Sequence, residues 1–398
     1  MAAVGIVAEY NPFHNGHLYH LRETKRRFPD KAVVCVMSGN FVQRGEPAVL
    51  PKSIRAAMAA ECGADLVLEL PVAFANAPAE IFAARAVAIL AATGVVSALS
   101  FGSECGDIGL LKRAADETEF DRSLFLQNMD MGRPYAAARA DAYPAEIRKI
   151  LCSPNNLLAI EYIRAARTFL PEAELFTVAR CGAAHDAAEG DGVTLSASRI
   201  RELLHSGEPA DLFLPDAAAV LLQRSLRDGH CPVSVDALSL SMLAVLRRIS
   251  PEDASMLPEV SEGLEHRLIA SAAVSENRAM LIKRLKTRRY TEARLRRILI
   301  SAYLGLTKDD QALEPQYLRV LAATKCGTDL LKRMRKQARL PVVTKPAAVK
   351  LLTGNAVRQY TAEVRADGLY ALAYPREELR SENGFFCRSP YIVPADQQ

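Results

Sequence analysis

The sequence lacks three features that would assign it to familiar protein classes. Charged residues interrupt every apolar stretch, so no run approaches the roughly 18 residues that a membrane-spanning helix needs. The first residues contain no basic segment followed by a signal-type apolar core, and we expect a cytoplasmic protein with no membrane partner. The eight cysteines include no C-x-x-C pair, which argues against a zinc knuckle or a disulfide framework.

What the chain does contain is the composition of a folded protein with more than one domain. It has 398 residues, of which 50% are hydrophobic and 24% are charged, and this excludes disorder as the main state. Short apolar runs alternate with helical segments in the first half, which predicts an α/β fold whose parallel sheet has helices on both faces. The predicted strands are Val4–Ala8, Val33–Met37, Leu66–Leu70, Val95–Phe101 and Leu175–Arg180.

The strand pattern fades after Gly207, where amphipathic helices are predicted instead. We therefore divide the chain into an α/β domain over 1–205 and a mainly α-helical domain over 206–398. The predicted helices of the second part are Asp236–Ile249, Leu264–Glu276, Arg289–Leu304 and Gln316–Cys326.

The clearest local pattern is His14-Asn15-Gly16-His17, which follows the first predicted strand. Ligands of open α/β sheets bind at the carboxyl ends of the strands. Imidazoles three positions apart on the first turn of a helix face the same way, and the helix N-terminus adds backbone donors for an anion. Gly16 leaves room for a ligand near the backbone. We interpret this segment as a phosphate cradle, with His14 and His17 as catalytic candidates, and predict no metal site in the protein.

A second candidate phosphate element is Ser196-Ala197-Ser198-Arg199-Ile200-Arg201. Ser196 and Ser198 can donate hydroxyls, and Arg201 can bind a phosphate. Taken alone, the pattern is better explained as a helix N-cap.

These motifs together resemble a known family. His14–His17 with the later serine–arginine element is similar to the "HIGH" nucleotidyltransferase superfamily. The further blocks GIVAEYNPFHNGHLYHL, VMSGNFVQRGEPA, GADLVLELP, FGSE, PNNLLAIEY and KTRRYTEARLRRIL resemble the bacterial tRNA(Met) cytidine acetate ligase family. The resemblance spans residues 4 to about 325 and implies a Rossmann-like nucleotidyltransferase domain followed by a mostly helical, tRNA-binding domain.

The activity that the resemblance implies is an ATP-dependent acetate ligase. Acetate would attack the α-phosphate of ATP, and the acetyl group would pass to the exocyclic amine of the wobble cytidine of elongator tRNA(Met), giving N4-acetylcytidine, AMP and pyrophosphate. Mg²⁺ would accompany the ATP. By similarity, the ATP-binding residues are Ile6, Val7, Ala8, Glu9, Tyr10, Asn11, Pro12, Phe13, His14, Asn15, Gly16, His17, Leu18, Tyr19, His20, Gly102, Asn155 and Arg180.

The residues after the second predicted strand and the helix that follows them are further candidates. We expect Ser38, Gly39 and Asn40, after the second strand, to line the acetate or nucleotide end of the site. Lys52 and Arg55, on the following helix, could balance pyrophosphate or a tRNA phosphate, although a solvated helix face would explain them nearly as well.

Positive charge is concentrated in one segment of the second part. Residues 281–350 contain 18 Lys and Arg against 5 Asp and Glu, while the rest of the chain is net negative. Such asymmetry indicates a polyanionic partner, and Tyr290 within the segment could stack on a base. The predicted tRNA-binding residues are Lys283, Arg284, Lys286, Arg288, Arg289, Arg296 and Arg297, with a second cluster at Lys332, Arg333, Arg335, Lys336 and Arg339.

Two other functions remain open from the residues alone. The histidine and serine–arginine motifs would also suit a small-molecule adenylyltransferase that makes a nucleotide cofactor, but this leaves the basic helical part without a role. An RNA-binding protein with a vestigial nucleotide fold is a third hypothesis, and the intact His14, Gly16 and His17 argue against it.

Overall fold

A mostly parallel sheet forms the centre of the protein. The computed structural model describes residues 2–394 except for 117–118, 134, 181–193, 262, 288 and 382–388. The strands are β1 (Ala3–Ala8), β2 (Ala32–Ser38), β3 (Phe41–Val42), β4 (Glu46–Pro47), β5 (Leu66–Leu70), β6 (Val96–Ser103), β7 (Glu174–Ala179), β8 (Leu318–Ala323), β9 (Val342–Val343) and β10 (Tyr391–Ile392).

The strand order creates a crevice beside the first strand. The order across the sheet is β10-β8-β5-β2-β1-β6-β7, with β9 paired to β8, while β3 and β4 form a separate hairpin. β1 pairs in parallel with both β2 and β6, so the chain leaves β1 toward one side and later returns on its other side. Ligands of open α/β sheets bind at such a reversal of strand order, outside the carboxyl ends of the strands.

Helices cover both faces of this sheet in the first half of the chain. Apolar residues on the two faces of β1 and β2 pack into two separate clusters, as expected for strands buried on both sides. The helices of this half are α1 (Asn15–Arg27), α2 (Lys52–Glu61), α3 (Val72–Ala75), α4 (Ala79–Ala92), α5 (Ile108–Asp116), α6 (Arg122–Asp130), α7 (Tyr135–Asp141), α8 (Ala145–Ile150), α9 (Pro154–Phe169) and α10 (Ala197–Ser206).

The second half is mainly helical, as its sequence predicts. Its α-helices are α11 (Asp216–Asp228), α12 (Ser239–Leu246), α13 (Pro251–Ser255), α14 (Leu264–Ala273), α15 (Arg278–Leu285), α16 (Glu292–Leu304), α17 (Lys308–Ala312), α18 (Lys325–Gln337) and α19 (Asn355–Ala371). Short 3-10 helices lie at Asp211–Phe213, Val235–Leu238, Pro346–Leu351 and Glu377–Ser381. Within the described ranges, no helix is both long enough and apolar enough to cross a membrane.

The five strands predicted in the first half are confirmed as β1, β2, β5, β6 and β7. The helix predicted over Gln316–Cys326 is wrong, because its centre forms β8. Every residue of β8 is buried, and the strand pairs antiparallel with β5 inside the main sheet. A short, fully buried apolar run has no periodicity that separates a strand from a helix.

The sheet uses strands from both sides of the predicted boundary at residue 205. β8, β9 and β10 come from the second half of the chain and extend the sheet beyond β5. The remaining helices there, from α12 to α16, bury a core of their own. The assignment of 1–205 to catalysis and 206–398 to tRNA binding stays a prediction.

Candidate active site

The loop that follows β1 lies at the reversal of strand order and leads directly into α1. Tyr10 takes a positive φ of 49°, which is uncommon for a large side chain and turns the chain sharply out of the strand. Tyr10 and Phe13 are buried and pack against the ring of His17, at centroid distances of 4.9 and 5.6 Å. The loop is thus anchored in the core, and this fixes the position of the histidines.

His14 and His17 form a stacked pair at the N-terminus of α1. Their ring centroids are 3.8 Å apart, which confirms that the two imidazoles face the same way. His14 Nδ1 accepts a hydrogen bond of 3.0 Å from the Gly16 amide, and His17 Nδ1 accepts one of 3.3 Å from the His14 amide. A neutral imidazole that accepts at Nδ1 carries its proton on Nε2. Both rings can therefore donate an Nε2–H to a ligand.

The environment keeps these imidazoles neutral. Burial, helped by the nearby Arg180 and Arg201, lowers the pKa of His14 to about 3. Burial, followed by the charges of His14 and Arg180, lowers the pKa of His17 well below its usual range. A neutral imidazole still donates its Nε2–H, and such a positioned donor stabilises negative charge that develops on a phosphate oxygen.

Gly16 leaves room for the ring of His14. A Cβ at this position would lie 2.9 Å from His14 Cε1, so a larger residue would displace the capping ring. The sequence predicts that a ligand fits into the space left by the missing side chain of Gly16. In the structure, the ring of His14 fills that space.

The predicted contacts Gly102, Asn155 and Arg180 lie together at the ends of β6 and β7. Arg180 Nη1 donates to Asn155 Oδ1 at 3.0 Å, and a Cβ at Gly102 would lie 3.3 Å from Arg180 Cγ. Glu104 completes the group by accepting a 2.6 Å hydrogen bond from Asn155 Nδ2. The charge of Arg180 also lowers the pKa of His14 and of His17, so Arg180 is close enough to both imidazoles to act on them electrostatically.

The serine–arginine element is folded against the same loop. Ser196 is the N-cap of α10, where its hydroxyl accepts from the Arg199 amide at 3.3 Å. Arg201 donates to the main-chain oxygen of Asn11 at 2.9 Å and to Ser198 Oγ at 3.4 Å. The N-cap explanation is therefore correct for Ser196, while Arg201 lies beside the phosphate-binding candidates.

Comparison with known proteins identifies the family of the chain. The model of the HIGH Nucleotidyl Transferase family matches residues 1–384. The tRNA(Met) cytidine acetate ligase of Thermoanaerobacter sp. is 37% identical over 392 residues, covering 95% of this chain and 97% of the relative. That of Syntrophotalea carbinolica is 41% identical over 361 residues, covering 86% and 85%. A crystal structure of Thermotoga maritima TmcAL bound with alpha-thio ATP superposes with a TM-score of 0.90 at 32% identity, covering 98% of this chain and 99% of that one.

The chain belongs to the tRNA(Met) cytidine acetate ligase family. Its fold is that of a Rossmann-like nucleotidyltransferase with a helical C-terminal region, and it is an ATP-dependent ligase. The family resemblance stated from the sequence motifs is confirmed.

The other residues of the predicted ATP-binding stretch divide by burial. The buried residues are Ile6, Val7, Tyr10, Asn11, Pro12 and Phe13. The partly buried residues are Ala8, Glu9, Asn15, Gly16, Leu18 and His20, and Tyr19 is exposed. His20 bonds to Ser100 Oγ at 3.0 Å, so its ring faces β6. Burial, with a contribution from Arg180, lowers the pKa of His20 to about 4.

The interpretations of Lys52 and Arg55 are wrong, because both side chains are buried. Lys52 Nζ lies 2.5 Å from Glu69 Oε1 and 2.6 Å from Asp367 Oδ1. The guanidinium of Arg55 donates to the main-chain oxygens of Glu9, Ser38, Gly39 and Leu50, and so ties the ends of β1 and β2 together. Neither cation is available to a phosphate.

The buried ionic cluster consists of Lys52, Glu69, Arg319, Glu363 and Asp367 and lies beneath the loop after β2. Burial alone would raise the pKa of Glu69, but Lys52 and Arg319 outweigh it and lower that pKa. Burial and the neighbouring Glu69 raise the pKa of Glu363 well above its usual range, so Glu363 stays protonated. Burial also raises the pKa of Asp367, although the charge of Lys52 opposes this change.

The loop residues Ser38, Gly39 and Asn40 belong to this cluster more than to an open site. All three are buried, and Asn40 uses both ends of its amide: Nδ2 donates to Asp367 Oδ1 and Oδ1 accepts from the Lys52 amide, each at 2.8 Å. A Cβ on Gly39 would lie 2.9 Å from Glu69 Oε1. The expectation that these side chains line an acetate or nucleotide pocket does not hold for Asn40.

The predicted tRNA-binding residues differ in exposure. Lys283, Arg284, Lys286 and Arg289 are exposed, Arg296 is partly buried, and Arg288 lies outside the described residues. Arg297 does not fit the prediction, because it is buried and its guanidinium bonds both carboxylate oxygens of Glu259 at 2.6 and 2.7 Å. Tyr290 is also buried, beneath the guanidinium of Arg294, so it cannot stack on a base.

The start of α16 contacts the β3–β4 hairpin, which connects the basic segment to the active site. Gly45 has a φ of +72°, and a Cβ there would lie 2.4 Å from the Arg297 amide nitrogen, so only glycine allows this contact. Glu46 pairs with Arg201 at 3.2 Å and approaches Arg296 at 3.9 Å. The hairpin therefore lies between α10 and α16.

Sequence reasoning missed the acidic partners on α19. The place of Glu104 after the fourth predicted strand, in the block FGSE, marks it as a candidate site residue, but the sequence does not reveal its contact with Asn155. Glu363 and Asp367 carry no local signal, apart from the four-residue spacing that puts both on one face of a helix.

Proposed function

We propose that this protein activates acetate with ATP and transfers the acetyl group to the wobble cytidine of elongator tRNA(Met). The observation that carries the proposal is the stacked His14–His17 pair, whose two Nε2–H donors stand at a helix N-terminus beside Arg180 and Arg201. The names of the related ligases supply acetate, tRNA(Met) and cytidine as the substrates to test.

In the first step, an acetate oxygen attacks the α-phosphorus of ATP and pyrophosphate leaves. Negative charge grows on the oxygens of the α-phosphate in the transition state, where His14 and His17 donate through Nε2–H. One such positioned donor typically contributes about 3–4 kcal/mol. Arg180 and Arg201 balance the charge of the leaving group, and Mg²⁺ accompanies the triphosphate.

In the second step, the exocyclic amine of the cytidine attacks the acetyl carbon of acetyl-adenylate. The products are N4-acetylcytidine and AMP. No nucleophilic side chain is required, because the substrates supply both nucleophiles, and the protein positions them and stabilises charge. An anticodon-loop base is single-stranded enough to be turned into such a site.

The basic part of the second half serves as the tRNA-binding surface in this proposal. Lys283, Arg284, Lys286 and Arg289 are exposed and suited to phosphates, which position an RNA without reading its sequence. We also place the enzyme in the cytoplasm, together with its tRNA.

The test combines the purified protein with ATP, labelled acetate and a tRNA(Met) transcript. We expect AMP, pyrophosphate and label in N4-acetylcytidine, and no label in a transcript whose wobble cytidine is replaced by uridine. Label confined to acetyl-adenylate would reject the RNA step. Pyrophosphate exchange that responds to a phosphorylated vitamin and not to acetate would favour the cofactor-forming adenylyltransferase.

The RNA-binding surface has its own test. Lys283→Ala with Arg284→Ala should weaken tRNA binding and lower the slope of log Kd against log salt by about one unit for each phosphate that the variant no longer binds. Acetate-dependent pyrophosphate exchange in the absence of tRNA should be retained. An unchanged salt slope would show that this surface does not contact tRNA.

A further inference from the structure

Glu9 is a carboxylate beside the candidate phosphate-binding groups, and it differs from Glu104, whose two carboxylate oxygens both accept hydrogen bonds from Asn155 and Asn156. It directly follows β1 and precedes the histidine loop, where two imidazole Nε2–H donors and the guanidinium of Arg201 lie close to one another. A carboxylate repels phosphate, so its presence calls for a cation or a hydrogen-bond donor among the ligands. Of the groups that react in the proposed function, on which this inference rests, only the cytidine amine is such a donor.

The side chain of Glu9 is held in a defined position. Its Oε1 accepts a 2.8 Å hydrogen bond from the Gln43 amide in the β3–β4 hairpin, and its main-chain oxygen accepts from Arg55. Among the described residues, no donor bonds the second carboxylate oxygen, Oε2. Glu9 as a residue is partly buried.

Several charged or titratable groups face Glu9 from the elements around it. The hairpin contributes Arg44 and Glu46, α10 contributes Arg201, and α2 contributes Arg55. Tyr162 approaches from α9 and carries a pKa well above its usual range, mainly through burial. Burial is the largest influence on Glu9 itself and raises its pKa, although the Gln43 amide, Arg44 and Arg201 oppose the change.

We propose that the Glu9 carboxylate accepts the proton that the wobble cytidine amine loses during acetyl transfer. The amine nitrogen forms a bond to the acetyl carbon, and the bond from that carbon to the phosphate oxygen breaks with its electron pair on AMP. One N–H proton passes to Glu9 Oε2 and from there to solvent. The products are N4-acetylcytidine, AMP and one proton, so atoms and charge balance.

The test separates the two steps of the reaction. The first is followed by acetate-dependent pyrophosphate exchange without tRNA, and the second by single-turnover transfer from preformed acetyl-adenylate to tRNA(Met). Glu9→Gln keeps the shape of the side chain and the acceptor for the Gln43 amide. We expect this variant to lose transfer by about 100-fold, a typical contribution of general base catalysis, and to lose clearly less of the exchange activity.

A pH profile of the transfer step distinguishes a proton acceptor from a structural residue. The wild-type rate should rise with pH and level off once Glu9 is ionised, and Glu9→Gln should lose this rise. Glu9→Asp should recover part of the rate. Glu161→Gln is the matched control, because burial also raises the pKa of Glu161, but its carboxylate pairs with Arg164 on α9 at 2.9 Å.

Two outcomes would overturn the inference while the proposed function stands. If Glu9→Gln transfers acetyl at the wild-type rate, Glu9 accepts no proton. If exchange falls as much as transfer, Glu9 serves the nucleotide, for example through the magnesium ion that accompanies ATP. Failure of the wild-type protein to exchange pyrophosphate with acetate would instead refute the proposed function itself.

Discussion

Replacement of Lys52 by methionine tests a charge that is buried in the core of the protein. The side chains of Lys52, Glu69 and Asp367 are each at most 2% exposed. Removal of one partner from a buried ion pair costs about 3–5 kcal/mol, because the remaining charges stay buried without compensation. Methionine preserves most of the side-chain volume of lysine, so the loss of stability measures the removal of the charge and not the formation of a cavity.

This cost converts into a measurable change in Tm. An unfolding entropy of about 2.1 cal/mol/K per residue gives roughly 0.8 kcal/mol/K for a chain of this length that unfolds as a unit, so we expect a decrease of about 4–6 °C. The matched control is Lys332→Met. Lys332 Nζ lies 2.7 Å from Asp329 Oδ1 but its side chain is 72% exposed, and the loss of a surface pair should lower Tm by less than about 1 °C.

The pH dependence of the same variant provides a second check. Without Lys52, Glu69 and Asp367 resist ionisation in the folded state, so their folded pKa lies above the unfolded value. The stability deficit of Lys52→Met relative to wild type should therefore grow as pH rises and shrink from pH 7.5 to pH 5, because the carboxylates left without Lys52 can take up protons at low pH. Equal Tm losses for Lys52→Met and Lys332→Met, or a deficit independent of pH, would refute this account of the buried ionic cluster.

Three further predictions concern the active site. His17→Ala should slow adenylate formation by about 100-fold or more, since it removes a transition-state donor, while tRNA affinity in a filter-binding assay should change little. The pKa values of His14 (about 3) and His20 (about 4) in the folded protein lie below the unfolded value, so the stability of the protein should fall as pH drops from 6.5 toward 4. His14→Gln should flatten this part of a curve of Tm against pH. An unchanged slope would contradict the burial of a neutral His14 ring. Glu104→Gln should raise the KM for ATP about tenfold, because it weakens the charged hydrogen bond that orients Asn155; equal KM values would show that Asn155 needs no such support.

The basic segment shows how far sequence reasoning reaches for binding surfaces. The local excess of positive charge correctly indicates exposed cations at Lys283 and Arg284. The same pattern includes Arg297, which lies on the buried side of α16 and pairs with Glu259. Charge counting cannot separate the two cases, because the side on which a helix packs depends on the elements around it.

The sequence by itself determined the strands of the first half and the histidine pair. Both follow from interactions between near neighbours: apolar runs bounded by turn residues form buried strands, and residues three apart at a helix start face the same way. The cap that orients the rings is equally local, since each Nδ1 accepts from an amide two or three residues away.

Only the tertiary structure decided the state of Lys52, the strand β8 and the surroundings of Glu9. The amide of Asn40 meets Asp367 across 327 positions of sequence, and Lys52 is buried by the same approach of α19. β8 is a strand because the edge of β5 offers it hydrogen-bond partners, and no such partner is encoded in its own six residues. Long-range contacts of this kind set burial and charge pairing, and burial and charge pairing decide what a polar side chain can do.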